Sequence, residues 1–152
     1  MEHLPNKRVS WEEYAMGLAT AASVRSEDPF YKVGACALNK KNKVIGTAYN
    51  GLASGKVVDE SFWADRDKRR PYMIHAEANL LSLIKRGKCK LLACTLLPCS
   101  ACATLIAAHG IKKVIYKEVY KRDQMALDIF KFYNIKCECV ENKYWDESPI
   151  YI

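Results

Sequence analysis

The chain has 152 residues, half of them apolar and 27% charged. That is enough for one core burying roughly two thirds of the unfolded chain's surface, and it excludes a disordered polypeptide. A net charge of +7 leaves nucleic acid, a membrane surface or a small anionic ligand open as partners, whereas seven cysteines in close groups suit reduced thiols better than a disulfide framework.

No apolar run reaches the roughly 20 residues that span a bilayer. The opening M-E-H-L-P-N-K-R has no hydrophobic segment, so a cytoplasmic protein is expected. Ser10 followed by Glu13 makes a capping-box pattern, and Trp11, Ala15, Leu18, Ala19 and Ala22 recur at helical spacing. A helix is expected over 11–24. Val33–Leu38 and Val44–Tyr49 flank Asn39-Lys40-Lys41-Asn42 as a hairpin. Residues 50–72 read mainly as a loop, unusually long and therefore expected to be functional. Its basic run Lys68-Arg69-Arg70 is either a solvated surface or part of an anion-binding rim.

Periodicity returns as a helix over 74–86, ended by Gly87. A strand over 91–96, a helix from Pro98 to His109 stopped by Gly110, and a strand over 113–116 follow. A helix over 123–133 and a strand over 136–140 complete the pattern. It implies one α/β domain over 1–152, its core about 11–140 and a short tail 141–152. A five-stranded mixed sheet covered by helices satisfies it, with right-handed parallel crossovers at the end. Cys36 and Cys94 read as small core residues and Cys89 as surface-near. Cys137 and Cys139 share a strand face that suits packing more than a second metal site.

The chemistry gathers in H-A-E at 75–77 and P-C-S-A-C at 98–102. Cys99 and Cys102 are three apart at an expected helix start, where amide donors and the helix dipole favour thiolates. With His75 they offer one nitrogen and two sulfurs, a zinc set with an open fourth position. Such an ion brings the pKa of its water down toward neutrality. Glu77 can reach that water and move its proton to a substrate nitrogen. H-x-E followed by P-C-x-x-C is the grouping used by zinc base deaminases. The competing readings are a redox cysteine pair, which gives no reason for H-A-E, and a closed structural zinc completed by Cys94 or His109.

The sequence resembles the zinc-dependent deoxycytidylate deaminases, within the wider cytidine deaminase superfamily. The resemblance rests on R-S-E-D-P at 25–29, V-G-A-C at 33–36, A-Y-N-G at 48–51, R-P-Y-M-I-H-A-E-A-N at 70–79 and the block 98–116. Ala48 stands where glycine is usual, and Ala53 where proline is usual. The resemblance implies a three-layer α/β/α cytidine deaminase-like fold and hydrolytic deamination of dCMP to dUMP and ammonia. His75, Cys99 and Cys102 would hold zinc, and Glu77 would shuttle the proton. Asn50 would bind the deoxyribose, with Ala76 and Pro98 beside the base through the peptide groups next to Glu77 and Cys99. For the phosphate, the resemblance puts Arg25 first, with Ser26 beside it and Tyr120 near the ribose or phosphate.

It further implies a homohexamer with dCTP and dTTP as effectors, Mg²⁺ accompanying the triphosphate, and an effector site around Asn50, Gly51, Gly55 and Lys56. Two other functions remain to be tested. One is a deaminase of tRNA or single-stranded DNA, disfavoured because the basic residues are scattered rather than aligned with aromatics. The other is a noncatalytic zinc-binding module, which would not require Glu77.

Overall fold

The computed structural model describes residues 8–119 and 123–140. Helix α1 (Trp11–Ser23) starts as its capping pattern requires, with the Ser10 side chain accepting from the Glu13 amide. Strands β1 (Gly34–Leu38) and β2 (Val44–Tyr49) form the expected hairpin. Strands β3 (Leu91–Leu96), β4 (Lys113–Glu118) and β5 (Lys136–Cys139) complete one sheet of order β2-β1-β3-β4-β5. β1 runs antiparallel to both its neighbours, while β3, β4 and β5 are mutually parallel. The sheet is therefore mixed, and its parallel half is joined by the helical crossovers that parallel strands require.

Alternation along the strands sorts their side chains into two cores. Ala35, Ala37, Leu92, Cys94 and Val114 face helices α4 (Ala76–Leu81), α5 (Ser100–Ala108) and α6 (Ala126–Phe132). The intervening Cys36, Leu38, Leu91, Ala93 and Ile115 pack against Ala15, Met16 and Ala19 of α1. The result is the three-layer α/β/α arrangement. Its α1 layer sits unusually close to the sheet. A Cβ at Gly34 would fall 1.9 Å from the Ala19 carbonyl oxygen, so the glycine of V-G-A-C is a packing requirement.

Several elements differ from their sequence expectation. The segment 50–72 holds helix α2 (Glu60–Ala64), helix α3 (Arg66–Arg69) and a 3₁₀ turn (Arg70–Tyr72). Each is too short to show periodicity, and α2 and α3 are set by side-chain caps: Asp59 accepts from the Phe62 amide and Asp65 from Lys68. α4 is regular for six residues rather than thirteen. The Ser82 hydroxyl donates to the Asn79 carbonyl, and the chain then tightens into shorter turns through Ile84. α5 begins at Ser100, two residues after the expected Pro98. α6 begins at Ala126, and Asp123 precedes it, accepting from Ser100 through Oδ2 and from the Met125 amide through Oδ1. β4 extends to Glu118 through its pairing with Leu96. Cys89 is buried rather than surface-near, whereas Cys139 is exposed on the edge strand. Among the described residues no helix is long and apolar enough to cross a membrane.

Candidate active site

Two helix starts meet beyond the carboxyl end of β3, the place where open α/β sheets hold ligands. His75 is the residue before α4 and Cys99 the residue before α5, both with extended backbone. Cys102 follows one turn into α5. The His75 Nδ1 atom lies 3.4 Å from the Sγ atoms of both Cys99 and Cys102, and the three ligand atoms all fall within 4.8 Å of one another. Zn–N near 2.1 Å and Zn–S near 2.3 Å at tetrahedral angles put ligand atoms roughly 3.5 Å apart. The donor set and its spacing thus fit one zinc ion, with a fourth position left to solvent or substrate. Neither Cys94 nor His109 belongs to this group: Cys94 is buried in the sheet, and the His109 ring meets the Ile84 carbonyl at 3.0 Å.

The electrostatics suit a cation. Hydrogen bonding from the Cys102 thiol, and then from His75, pulls the Cys99 thiol well below its ordinary range, while sharing that proton holds Cys102 up. The Cys102 amide also points at the Cys99 sulfur from 3.5 Å. His75 is raised, chiefly through its contact with Cys99. Glu77, in the first turn of α4, is 3% exposed. Burial pushes its carboxyl up to about 7, against the opposing influence of His75 and of the Cys102 thiol. A carboxyl poised near neutrality can take up a proton and give it back at small cost in either direction.

These groups open into a cavity of about 760 Å³. Of the sequence-expected residues, His75, Ala76, Glu77, Cys99 and Asn50 line it. Asn50 is held rigidly: its Oδ1 accepts from the Val33 amide and its Nδ2 donates to the Tyr31 carbonyl. Pro98 is fully buried and does not reach the cavity wall. Arg25 and Ser26 are also away from the wall. The Arg25 Nε donates to the Tyr49 hydroxyl at 2.9 Å, and the Ser26 hydroxyl accepts from the Asp28 amide. R-S-E-D-P is therefore largely a loop framework: Glu27 accepts from the Leu52 amide, and Asp28 caps Phe30 and Tyr31. Gly51 pairs with Ile74 across an isolated bridge, while Gly55 and Lys56 sit in an exposed turn outside the cavity. Tyr120 and the tail 141–152 lie outside the described residues.

Composition and spacing did not single out the cavity's other wall as a unit. Arg66, Arg69 and Arg70 line it together with Asp28 and Tyr31. The two readings of the basic run divide residue by residue. Lys68 is solvated. Arg69 is 4% exposed, bonded through Nη1 to Asp28 Oδ2 at 2.7 Å and flanked by the rings of Phe30 and Trp63. Arg70 is exposed on the cavity side. Asp123 also lines the wall, accepting from both the amide and the hydroxyl of Ser100. Its signal in the sequence was only a polar residue before a helix.

A three-layer α/β/α domain with an open His/Cys/Cys metal site and a buried glutamate beside it defines the cytidine deaminase-like class. The family model describing the cytidine and deoxycytidylate deaminase zinc-binding region matches residues 9–118, and the chain belongs to that family. It is 37% identical over 117 residues to the deoxycytidylate deaminase of Homo sapiens, an alignment covering 71% of this chain and 65% of that protein. With the deoxycytidylate deaminase of Mycobacterium phage D29 it shares 39% identity over 129 residues, covering 72% and 95%. The structure of dCMP deaminase from the cyanophage S-TIM5 in complex with dCMP and dUMP superposes with a TM-score of 0.74 at 26% identity, over 89% of this chain and all of that one. The chain spans 65% of the length of the mammalian relatives it matches.

Proposed function

We propose that this protein catalyses the hydrolytic deamination of dCMP to dUMP and ammonia. The observation that carries the reading is the buried Glu77 beside three convergent ligands that leave one position open toward a nucleotide-sized cavity. The names borne by the relatives support the choice of base and phosphate state. The same reading takes the chain as one catalytic domain.

His75, Cys99 and Cys102 would hold the zinc ion. When bound, zinc acidifies its water for attack at C4 of cytosine. The chain's own residues then handle position and protons. Asn50, fixed by its two backbone bonds, presents a rigid polar edge for the sugar. Glu77 receives the proton of the attacking water and delivers it to N3, making C4 electrophilic. It then takes the second proton and places it on the exocyclic nitrogen, which leaves as ammonia. One water is consumed, one ammonia is released, and Glu77 ends as a carboxylate. Burial suits this cycle because it brings the two protonation states close in energy.

A substrate panel of dCMP, CMP, deoxycytidine, dCTP and a cytosine-containing oligonucleotide tests the reading by ammonia release. The expected result is that dCMP is turned over fastest by a wide margin. Equal or faster turnover of the oligonucleotide would sink the monophosphate assignment. No turnover of any substrate by the zinc-loaded protein would favour a noncatalytic zinc module. Repeating the panel with dCTP or dTTP plus Mg²⁺ tests effector control, and light scattering tests the hexamer.

A further inference from the structure

A nucleotide bound with its base at Glu77 must place its 5′-phosphate away from the reacting carbon, and a dianionic phosphate needs cationic N–H donors. Arg25 bonds to Tyr49 outside the cavity. Among the described residues, the basic side chains on the cavity wall besides His75 are Arg66, Arg69 and Arg70. Arg69 is already committed as the buried counter-charge of Asp28. Arg66 and Arg70 are four residues apart, and the Arg70 amide bonds to the Arg66 carbonyl. They are successive rungs of one helical turn, the spacing at which side chains meet on a shared face.

The surroundings orient both. The Arg66 guanidinium lies over the Tyr31 ring at 5.6 Å. Arg70 extends from the start of the 3₁₀ turn, is exposed, and lines the same cavity as His75 and Asp123. The wall also carries carboxylates. Asp123 is bonded to Ser100, Asp28 to Arg69, and Asp67 is exposed to water at the rim. The segment is anchored by the buried Asp28–Arg69 pair within the same wall, so the arginines are presented by a fixed surface rather than by a free loop.

We propose that Arg66 and Arg70 together grip the 5′-phosphate and make the site select a nucleoside monophosphate over the free nucleoside. This assignment rests on the nucleotide deaminase reading and names the residues that set its substrate class. Neither residue touches the reacting atoms; both set specificity.

Calorimetric titration of the zinc-loaded full chain with dUMP and with deoxyuridine tests the assignment without requiring turnover. The parent protein is expected to bind dUMP at least about tenfold more tightly than deoxyuridine. Arg66→Gln and Arg70→Gln should each weaken dUMP roughly tenfold to a hundredfold, the range for charged hydrogen bonds, and leave deoxyuridine unchanged. Arg70→Lys should recover part of the loss, because an ammonium keeps the charge and loses the fork. Thermal unfolding and zinc content show whether each variant is intact, and Arg66→Lys replaces Arg66→Gln if the latter does not fold.

The assignment is overturned if the parent shows no preference for dUMP, if both glutamine variants keep it, or if both ligands weaken together. It is also overturned if Arg25→Gln removes the preference while the Arg66 and Arg70 variants retain it. A preference for dUMP that depends on both arginines, in a protein releasing no ammonia from dCMP, would support the grip and defeat the catalytic reading.

Discussion

The two walls of the cavity are built on different principles. One consists of the starts of α4 and α5, whose following turns bury Ala76, Leu80, Ala103 and Ile106 in the larger core. Its ligands are the first residues outside well-packed helices, so a small sequence span fixes their positions. The other consists of α3 and the 3₁₀ turn, which contribute almost no apolar burial. It is held by an ion pair of 2.7 Å, both partners 4% exposed, and by aromatic rings over guanidinium groups. The metal-ligand wall is anchored in the hydrophobic core, while the facing wall is held by polar and charged contacts. The first should lose activity without unfolding, and the second should lose stability when its anchor is cut.

The largest effect should come from the ligands. Cys102→Ala is expected to lose the metal and drop ammonia release from dCMP to background, checked by metal analysis and assay on the same preparation. Chelation of the parent should do the same, and added zinc should restore it. Glu77→Gln should keep the metal and lower kcat by roughly 10²–10⁴-fold, the usual worth of a positioned acid–base group. Full activity in that variant would remove Glu77 from the mechanism.

The polar wall should behave differently. Arg69→Met leaves Asp28 buried without its charge partner and should cost about 3–5 kcal/mol in urea unfolding. The double variant Arg69→Met/Asp28→Leu should regain much of it. Unchanged stability in Arg69→Met would break the contrast between the walls. A further effect reads the cost of burying Glu77 in metal-free protein. Its carboxyl is raised from an ordinary 4.5 to about 7, so between those values the folded state holds more protons than the unfolded one. Its contribution to stability is thus present below pH 4.5 and lost as pH rises toward 7. Relative to the parent, Glu77→Gln should gain stability across that window, by on the order of 3 kcal/mol. A constant difference from pH 4.5 to 7 would contradict the raised value. The smallest effect should be Lys113→Met. Its pair with Glu12 spans 2.9 Å, but the two side chains are 25% and 33% exposed, so unfolding should shift by no more than about 1 kcal/mol.

The elements that were legible in the sequence share a physical cause. β1 and β3 are buried on both faces and leave continuous apolar runs, while helical spacing in α1 marks the one face that meets a core. The metal ligands were legible because two turn-length motifs carry all three donors and the acid. α2, α3 and the 3₁₀ turn left no pattern because they are shorter than one period of useful length. α4 ends earlier than its apolar spacing suggests because the backbone tightens into three-residue turns at Leu83 and Ile84, beside the Ser82 hydroxyl's bond to the Asn79 carbonyl.

Phosphate recognition shows the limit more sharply. R-S-E-D-P drew attention to Arg25, whose guanidinium the fold turns toward Tyr49. Within the run at 68–70, composition could not tell a solvated lysine from a buried structural arginine or an arginine facing the cavity. The sequence by itself determined a five-stranded mixed sheet covered by helices and a zinc-binding donor set, because periodicity and local spacing encode them. Only the tertiary structure decided which charges are spent on the framework and which face the cavity. A charge's role depends on what is brought opposite it, as Asp28 is brought to Arg69 across 41 positions of chain.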